Sequence, residues 1–134
     1  MAVVRHETRA VLSSEDVVFV RQVVREWATS AGFSLVEQTK IVTAASELAR
    51  NTLQHGGGGT VRLEALNDPS RRGLRLVFED RGPGIRDIEQ ALRDGYSTGG
   101  GLGLGLGGSK RLANEFEIES RPGEGTRVAI TRWK

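Results

Sequence analysis

A chain of 134 residues, 37% apolar and 27% charged, is composed like one soluble globular domain with a real core and is too short to build a second. A formal charge of only +2, with the basic residues dispersed, argues against nucleic acid as a partner, and the lack of cysteine excludes disulfides and thiolate metal sites. No apolar run approaches the roughly 18 residues of a membrane span, and no signal-peptide core opens the chain. The expected setting is therefore the cytoplasm, with no membrane contact.

Residues 3–12 alternate apolar and polar, as an edge strand would. Ser13 or Ser14 can cap the helix that follows, and Asp16 lies three residues after Ser13 in the manner of a capping box. Val17, Val20, Val24, Trp27 and Ala31 recur at three- and four-residue spacing, which predicts an amphipathic helix ending at Gly32. Ser34 and Glu37 form a second box. It opens a longer helix to about His55, with Leu35, Ile41, Val42, Ala45, Leu48, Ala49 and Leu53 on its buried side. Residues 60–67 and 73–79 read as two antiparallel strands joined by the turn Asn67-Asp68-Pro69-Ser70. A short helix is expected over about 86–93 and another over about 105–114. Residues 116–120 and 127–133 then close the chain as a hairpin. This order, β-α-α-β-β-α-α-β-β, predicts an α+β fold: a two-layer sandwich with a mostly antiparallel mixed sheet and helices on one face.

Glu47 and Asn51 stand four apart on the second helix and so project from one face. The carboxylate can take a proton from an attacking hydroxyl or water, and the amide oxygen can ligate Mg²⁺, which favours hard oxygen donors. A solvated surface pair would have the same spacing. Asp80 ends the strand over 73–79, where a carboxylate can accept from an exocyclic amine such as that of adenine, or can merely cap a loop. Gly82 and Gly84 let the backbone approach a flat base and take positive φ, and Pro83 stiffens the turn.

The run from Gly99 to Gly108 carries Leu102, Leu104 and Leu106 at every second position, which a solvated linker has no reason to do. Its bare N–H groups can meet phosphate oxygens at the positive end of the helix that follows. Gly103, Gly105 and Gly108 match G-x-G-x-x-G, but the run follows Tyr96-Ser97-Thr98 rather than a strand, and no Gly-Lys-Ser/Thr exists for a Walker loop. Arg50, His55, Lys110 and Arg111 are lesser candidates. His55 at a helix C-terminus suits the dipole, while Lys110 and Arg111 either reach phosphates or stay solvated. With two histidines and no acidic cluster beside them, a histidine metal site is not expected.

Taken in order, Glu47-x-x-x-Asn51, Asp80-x-Gly82-x-Gly84, Gly101-Leu102-Gly103-Leu104-Gly105 and Gly123-Glu124-Gly125-Thr126 resemble the N, G1, G2 and Thr boxes of the GHKL ATPase and kinase superfamily. The set is similar to its small anti-sigma regulatory branch. Within that branch, Ser46-Glu47-Leu48-Ala49-Arg50-Asn51, the stretch from Glu79 to Ile85, Asp94-Gly95-Tyr96-Ser97-Thr98 and Lys110-Arg111-Leu112 resemble the RsbT-type switch kinases of the stressosome more than the RsbW-type anti-sigma factors.

The resemblance covers nearly the whole chain and implies a single nucleotide-binding domain over residues 1–134 with the Bergerat fold. It implies that Asp80 binds the adenine amine with support from Thr126, that Asn51 ligates Mg²⁺, and that Glu47 is the general base. Gly82 and Gly84 would shape the base site, a lid would span about 85–102, and Gly101, Leu102, Gly103, Leu104, Gly105 and Lys110 would hold the phosphates of ATP. The implied reaction is phosphoryl transfer to a Ser or Thr of a STAS-domain partner, with a PP2C-type phosphatase as a second partner. Sequestration of a sigma factor is the alternative, and a homodimer is compatible with either. These boxes do not separate kinase from ATPase, because a hydrolytic relative uses the same Glu on water. A histidine-kinase fragment is disfavoured because no helix with a phospho-acceptor His precedes the domain, and a gyrase-like ATPase because no transducer domain follows.

Overall fold

In the computed structural model, which describes residues 2–93, 97–98, 102–103 and 105–134, the chain starts with strand β1 (Ala2–Val11). Helix α1 (Ser14–Ser30) is capped by Ser13, whose hydroxyl accepts from Asp16 N at 3.2 Å. The Asp16 carboxylate accepts from Leu12 N at 2.9 Å, one residue earlier than a capping box would use. Helix α2 (Leu35–Gln54) has the complete box: Ser34 Oγ accepts from Glu37 N, and Glu37 Oε1 accepts from Ser34 N. Both helices bury one stripe, Val17, Val20, Val24 and Trp27 on α1 and Ile41, Ala45, Leu48 and Ala49 on α2.

Leu35 departs from the expected stripe, being 71% exposed. It shares a face with Val42 but stands seven residues earlier, about 10 Å along the axis. The period shows which face is apolar; it does not show where the packing neighbour ends.

Strands β2 (Gly59–Asp68) and β3 (Arg71–Asp80) form the predicted hairpin, its turn closed by Asp68 Oδ1, which accepts from Ser70 N and Arg71 N. Next come a one-turn helix α3 (Ile88–Ala91), two-residue strands β4 (Ser97–Thr98) and β5 (Leu102–Gly103), and helix α4 (Leu106–Leu112). Strands β6 (Glu115–Arg121) and β7 (Gly125–Trp133) close the chain. The β4–β5 pair is a small antiparallel ladder that alternation alone did not announce.

The five long strands are ordered β1-β2-β3-β7-β6. Every ladder among the described residues is antiparallel, so the mixed character expected of the sheet has no counterpart among them. Val61 and Leu63 of β2, Leu74, Leu76 and Phe78 of β3, and Val128 and Ile130 of β7 join the apolar residues of α1 and α2 in one core. The opposite face carries charge, including a nearly buried Glu64 between Arg62 and Arg75. Helices on one face and a polar face on the other give the two-layer α+β sandwich that the element order predicted.

Candidate functional site

The C-terminal half of α2, the end of β3 and the start of β7 meet at one edge of the core and leave a narrow cleft with a cavity volume of about 20 Å³. Its walls are apolar, from Leu48, Phe78, Ile85, Leu106 and Val128, and its polar groups are few: Asn51, His55, Asp80 and Thr126 among them. Register explains part of the convergence, because Asp80 and Thr126 are direct partners across β3 and β7 and so share a face. Asn51 reaches the same cleft from α2, three residues after the buried Leu48.

Asp80 is fixed from two sides. Its Oδ1 accepts from Gly82 N at 2.9 Å. Gly56, just past α2, lies so close that an added Cβ would stand 2.3 Å from the Asp80 carboxyl carbon. Gly82 in turn approaches Gly56, where a Cβ would meet the backbone at 2.6 Å. Gly84 takes positive φ (76°), and a Cβ there would collide with Arg121 O at 2.1 Å. Of the two glycines expected to exploit this freedom, Gly84 uses the left-handed region and Gly82 uses close approach.

Ser120, which the sequence did not mark, and His55, a lesser candidate there, hold this turn. Ser120 Oγ accepts from Ile85 N at 2.7 Å, donates to Gly125 O at 3.1 Å, and lies 2.7 Å from Thr126 Oγ1. A hydroxyl has one proton. With that of Ser120 on Gly125 O, the contact must use the proton of Thr126, which leaves Thr126 Oγ1 presenting acceptor lone pairs. His55 Nε2 lies 3.1 Å from Gly84 O, so Nε2 carries the proton and donates it. His55, expected at the helix C-terminus for its fit to the dipole, is the C-cap of α2, and its ring contacts the turn after Asp80.

Glu47, one residue before the wall residue Leu48, does not itself line the cleft. Its Oε1 accepts from Arg50 Nη1 at 2.9 Å, and its Oε2 faces Gly105, where an added Cβ would lie 2.8 Å away. Gly105 is the left-handed residue (φ 60°) that starts α4. Leu102 and Gly103 are placed as β5, and Gly101 and Leu104 lie outside the described residues. Lys110 is exposed in the last turn of α4 and does not line the cleft. The structure therefore brings Asn51, Asp80 and Thr126 into one cleft, with Glu47 and Gly105 side by side at its α4 end.

An apolar cleft lined by one carboxylate acceptor suits a purine bearing an exocyclic amine. Among the described residues no three His, Cys, Asp or Glu side chains gather to hold a metal ion. Asn51 offers one neutral oxygen, so a Mg²⁺ ion here would complete its shell with substrate oxygens and water, as that ion commonly does. The donor set fits both groups.

The profile of the histidine kinase-like ATPase domain family matches residues 10–132. Serine/threonine-protein kinase RsbT of Bacillus subtilis (strain 168) is 45% identical over 123 residues, covering 92% of this chain and 92% of that protein. Anti-sigma F factor of Thermoanaerobacter sp. (strain X514) is 30% identical over 126 residues, covering 90% and 87%. Among solved structures, the RsbU and RsbW domains of Rv1364c from Mycobacterium tuberculosis superpose with a TM-score of 0.62 at 23% identity, over 96% of this chain and 31% of that one. The catalytic domain of histidine kinase ThkA superposes with a TM-score of 0.56 at 16% identity, over 94% and 95%. At those identities the two structures speak to the fold.

Proposed function

Because the chain belongs to the histidine kinase-like ATPase domain family, we propose that it is an ATP-dependent protein serine/threonine kinase working in a cytoplasmic partner-switching pathway. The observation that carries this reading is the convergence of Asn51, Asp80 and Thr126 on one apolar cleft, with Glu47 beside Gly105, the residue before the wall residue Leu106. The 45% identity to a serine/threonine kinase over nearly the full length of both chains supports the reaction class. Its substrate is a Ser or Thr on a STAS-domain protein, and a PP2C-type phosphatase is a second partner. Residues 1–134 act as one catalytic domain.

Asp80 accepts a hydrogen bond from the adenine amine, and Thr126 Oγ1, its own proton committed to Ser120, accepts from the amine or from a bridging water. Leu48, Phe78, Ile85, Leu106 and Val128 exclude solvent from the ring faces. Backbone N–H groups of Gly101, Leu102, Gly103, Leu104 and Gly105 bind phosphate oxygens, and Lys110 adds positive charge from α4. Asn51 holds Mg²⁺, which when bound supplies charge neutralisation on the phosphates. Glu47 receives the proton of the attacking Ser or Thr hydroxyl through Oε2, the oxygen that Arg50 leaves open. Phosphoryl transfer needs little covalent help from protein, so positioning and charge are what these residues contribute.

The test is transfer of labelled phosphate from ATP, with Mg²⁺, to STAS-domain proteins encoded beside this one. Glu47→Gln should lower transfer by a factor of about 100 or more while leaving ATP affinity within about twofold. Asp80→Asn replaces an acceptor oxygen by a donor and should weaken ATP binding by at least about tenfold. Absence of transfer to every STAS protein, with ATP binding intact, would refute the kinase reading. Likeness to an anti-sigma F factor supports a second reading, sequestration of a sigma factor. ATP-dependent co-purification of a sigma factor would then replace transfer as the positive result.

A further inference from the structure

Arg50 sits three residues after Glu47 and one before Asn51, on the solvent side of α2. Its Nη1 donates to Glu47 Oε1 at 2.9 Å, and its Nη2 is 3.4 Å from Ser46 Oγ. One carboxylate oxygen of Glu47 is thus taken by a cation, and the other faces Gly105 at the start of α4. We propose that Arg50 is a positioning residue: it selects the Glu47 conformer in which Oε2 is the proton acceptor aimed at the phosphate end of the cleft. This rests on the reading of Glu47 as the base.

An ion pair with side chains 44% and 37% exposed contributes little to stability. Its consequence is geometric. A glutamate at a half-exposed helix position has three side-chain torsions, and without a partner it spreads over several staggered conformers. A guanidinium is planar and offers fixed donor directions, so it holds one of them. Proton transfer is sensitive to such placement, and misplacement by about 1 Å can cost about 100-fold in rate. The same contact admits an opposite use, a latch that withholds Glu47 until a partner draws Arg50 away. The two differ in sign: loss of a positioning residue slows transfer, and loss of a latch speeds it.

The experiment compares wild type, Arg50→Gln, Arg50→Lys and Glu47→Gln. It measures phosphate transfer from labelled ATP to a STAS-domain acceptor, ATP dissociation constants by calorimetry, and guanidinium rotation of Arg50 by ¹⁵N NMR in nucleotide-free protein. Arg50→Gln should lower kcat by about 10- to 100-fold while ATP affinity and the acceptor KM stay within about twofold. Arg50→Lys should restore only part of that loss, because it keeps a cation within reach but lacks the fixed donor directions of the guanidinium. Rotation of the Arg50 guanidinium should be slow in wild type and fast in Glu47→Gln, independent of any activity. An unchanged or raised kcat in Arg50→Gln, equal losses in kcat and ATP affinity, or fast rotation in wild type would each overturn the proposal. Failure of the underlying reading shows separately: Glu47→Gln transferring at the wild-type rate removes the base whatever Arg50 does. A wild-type protein that transfers nothing overturns both.

Discussion

Ser120 belongs to no local motif, yet its hydroxyl ties together the turn after Asp80, the bend before β7 and Thr126. Replacing it by Ala leaves the Ile85 N–H, in a residue 9% exposed, without that acceptor. A buried donor stripped of its partner costs about 1–3 kcal/mol. Ser120→Ala should therefore lower the thermal midpoint and also weaken ATP binding several-fold, because the freed turn is the one that shapes the base site. Calorimetric titration and a melting curve check both effects, and a variant that loses stability with unchanged ATP affinity would separate Ser120 from the site. The contrast with Asp80 shows what a sequence can reveal about a site. Asp80, Gly82 and Gly84 form a compact local pattern, and Glu47 and Asn51 follow from helix period alone. Ser120 and His55 act on Ile85 and Gly84, 35 and 29 residues away, and nothing near either residue marks that contact.

Helix α2 carries Asn51 and Glu47 at one end and a complete capping box at the other, and the box was legible because its chemistry is local: hydroxyl, three-residue spacing, carboxylate. At the start of α1 the same signal proved partly right, since Ser13 caps but Asp16 bonds Leu12 N. A side chain chooses among neighbouring orphan donors by backbone direction, which spacing does not encode. The box at α2 has a measurable consequence. Ser34→Ala removes the acceptor of Glu37 N and should destabilise by about 1 kcal/mol, equivalent to a fall of roughly 3–5 °C in the midpoint for a domain of this size. ATP affinity should stay within error, because Ser34 is nearly five helical turns from Asn51. A loss of ATP affinity matching the loss of stability would mean that the ends of α2 are coupled. Leu35, next to the cap, is the clearest misreading at this scale: its period was correct and its burial was not.

Sheet order emerges only in the whole molecule. The hairpins β2–β3 and β6–β7 could be read from their turns, but the joining of β3 to β7, which sets Asp80 against Thr126, spans more than forty residues and has no turn to announce it. The polar face of the sheet follows instead from the β2–β3 register, which sets Glu64 opposite Arg75, with Arg75 Nε at 2.6 Å and Arg62 Nε at 3.1 Å from its carboxylate. Burial alone would raise the Glu64 pKa, but hydrogen bonds from Arg75 and Arg62 outweigh it and hold the carboxyl below its usual 4.5. Glu37 is lowered chiefly by its backbone bond with Ser34, and Asp68 chiefly by its backbone bond with Ser70. For all three, the unfolded chain binds the proton more tightly than the folded one. Stability from these groups is therefore fully present above the unfolded values and is lost as pH falls through the folded ones. Urea midpoints should stay nearly level from pH 7 to about 5.5 and drop below about 4.5. Glu64→Gln leaves two arginines without a carboxylate and should cost about 1–3 kcal/mol at pH 7. Its curve should then converge on wild type as acid protonates Glu64 in the latter. If the two curves stay parallel down to pH 3, the pairing seen on the sheet does not bear on acid stability.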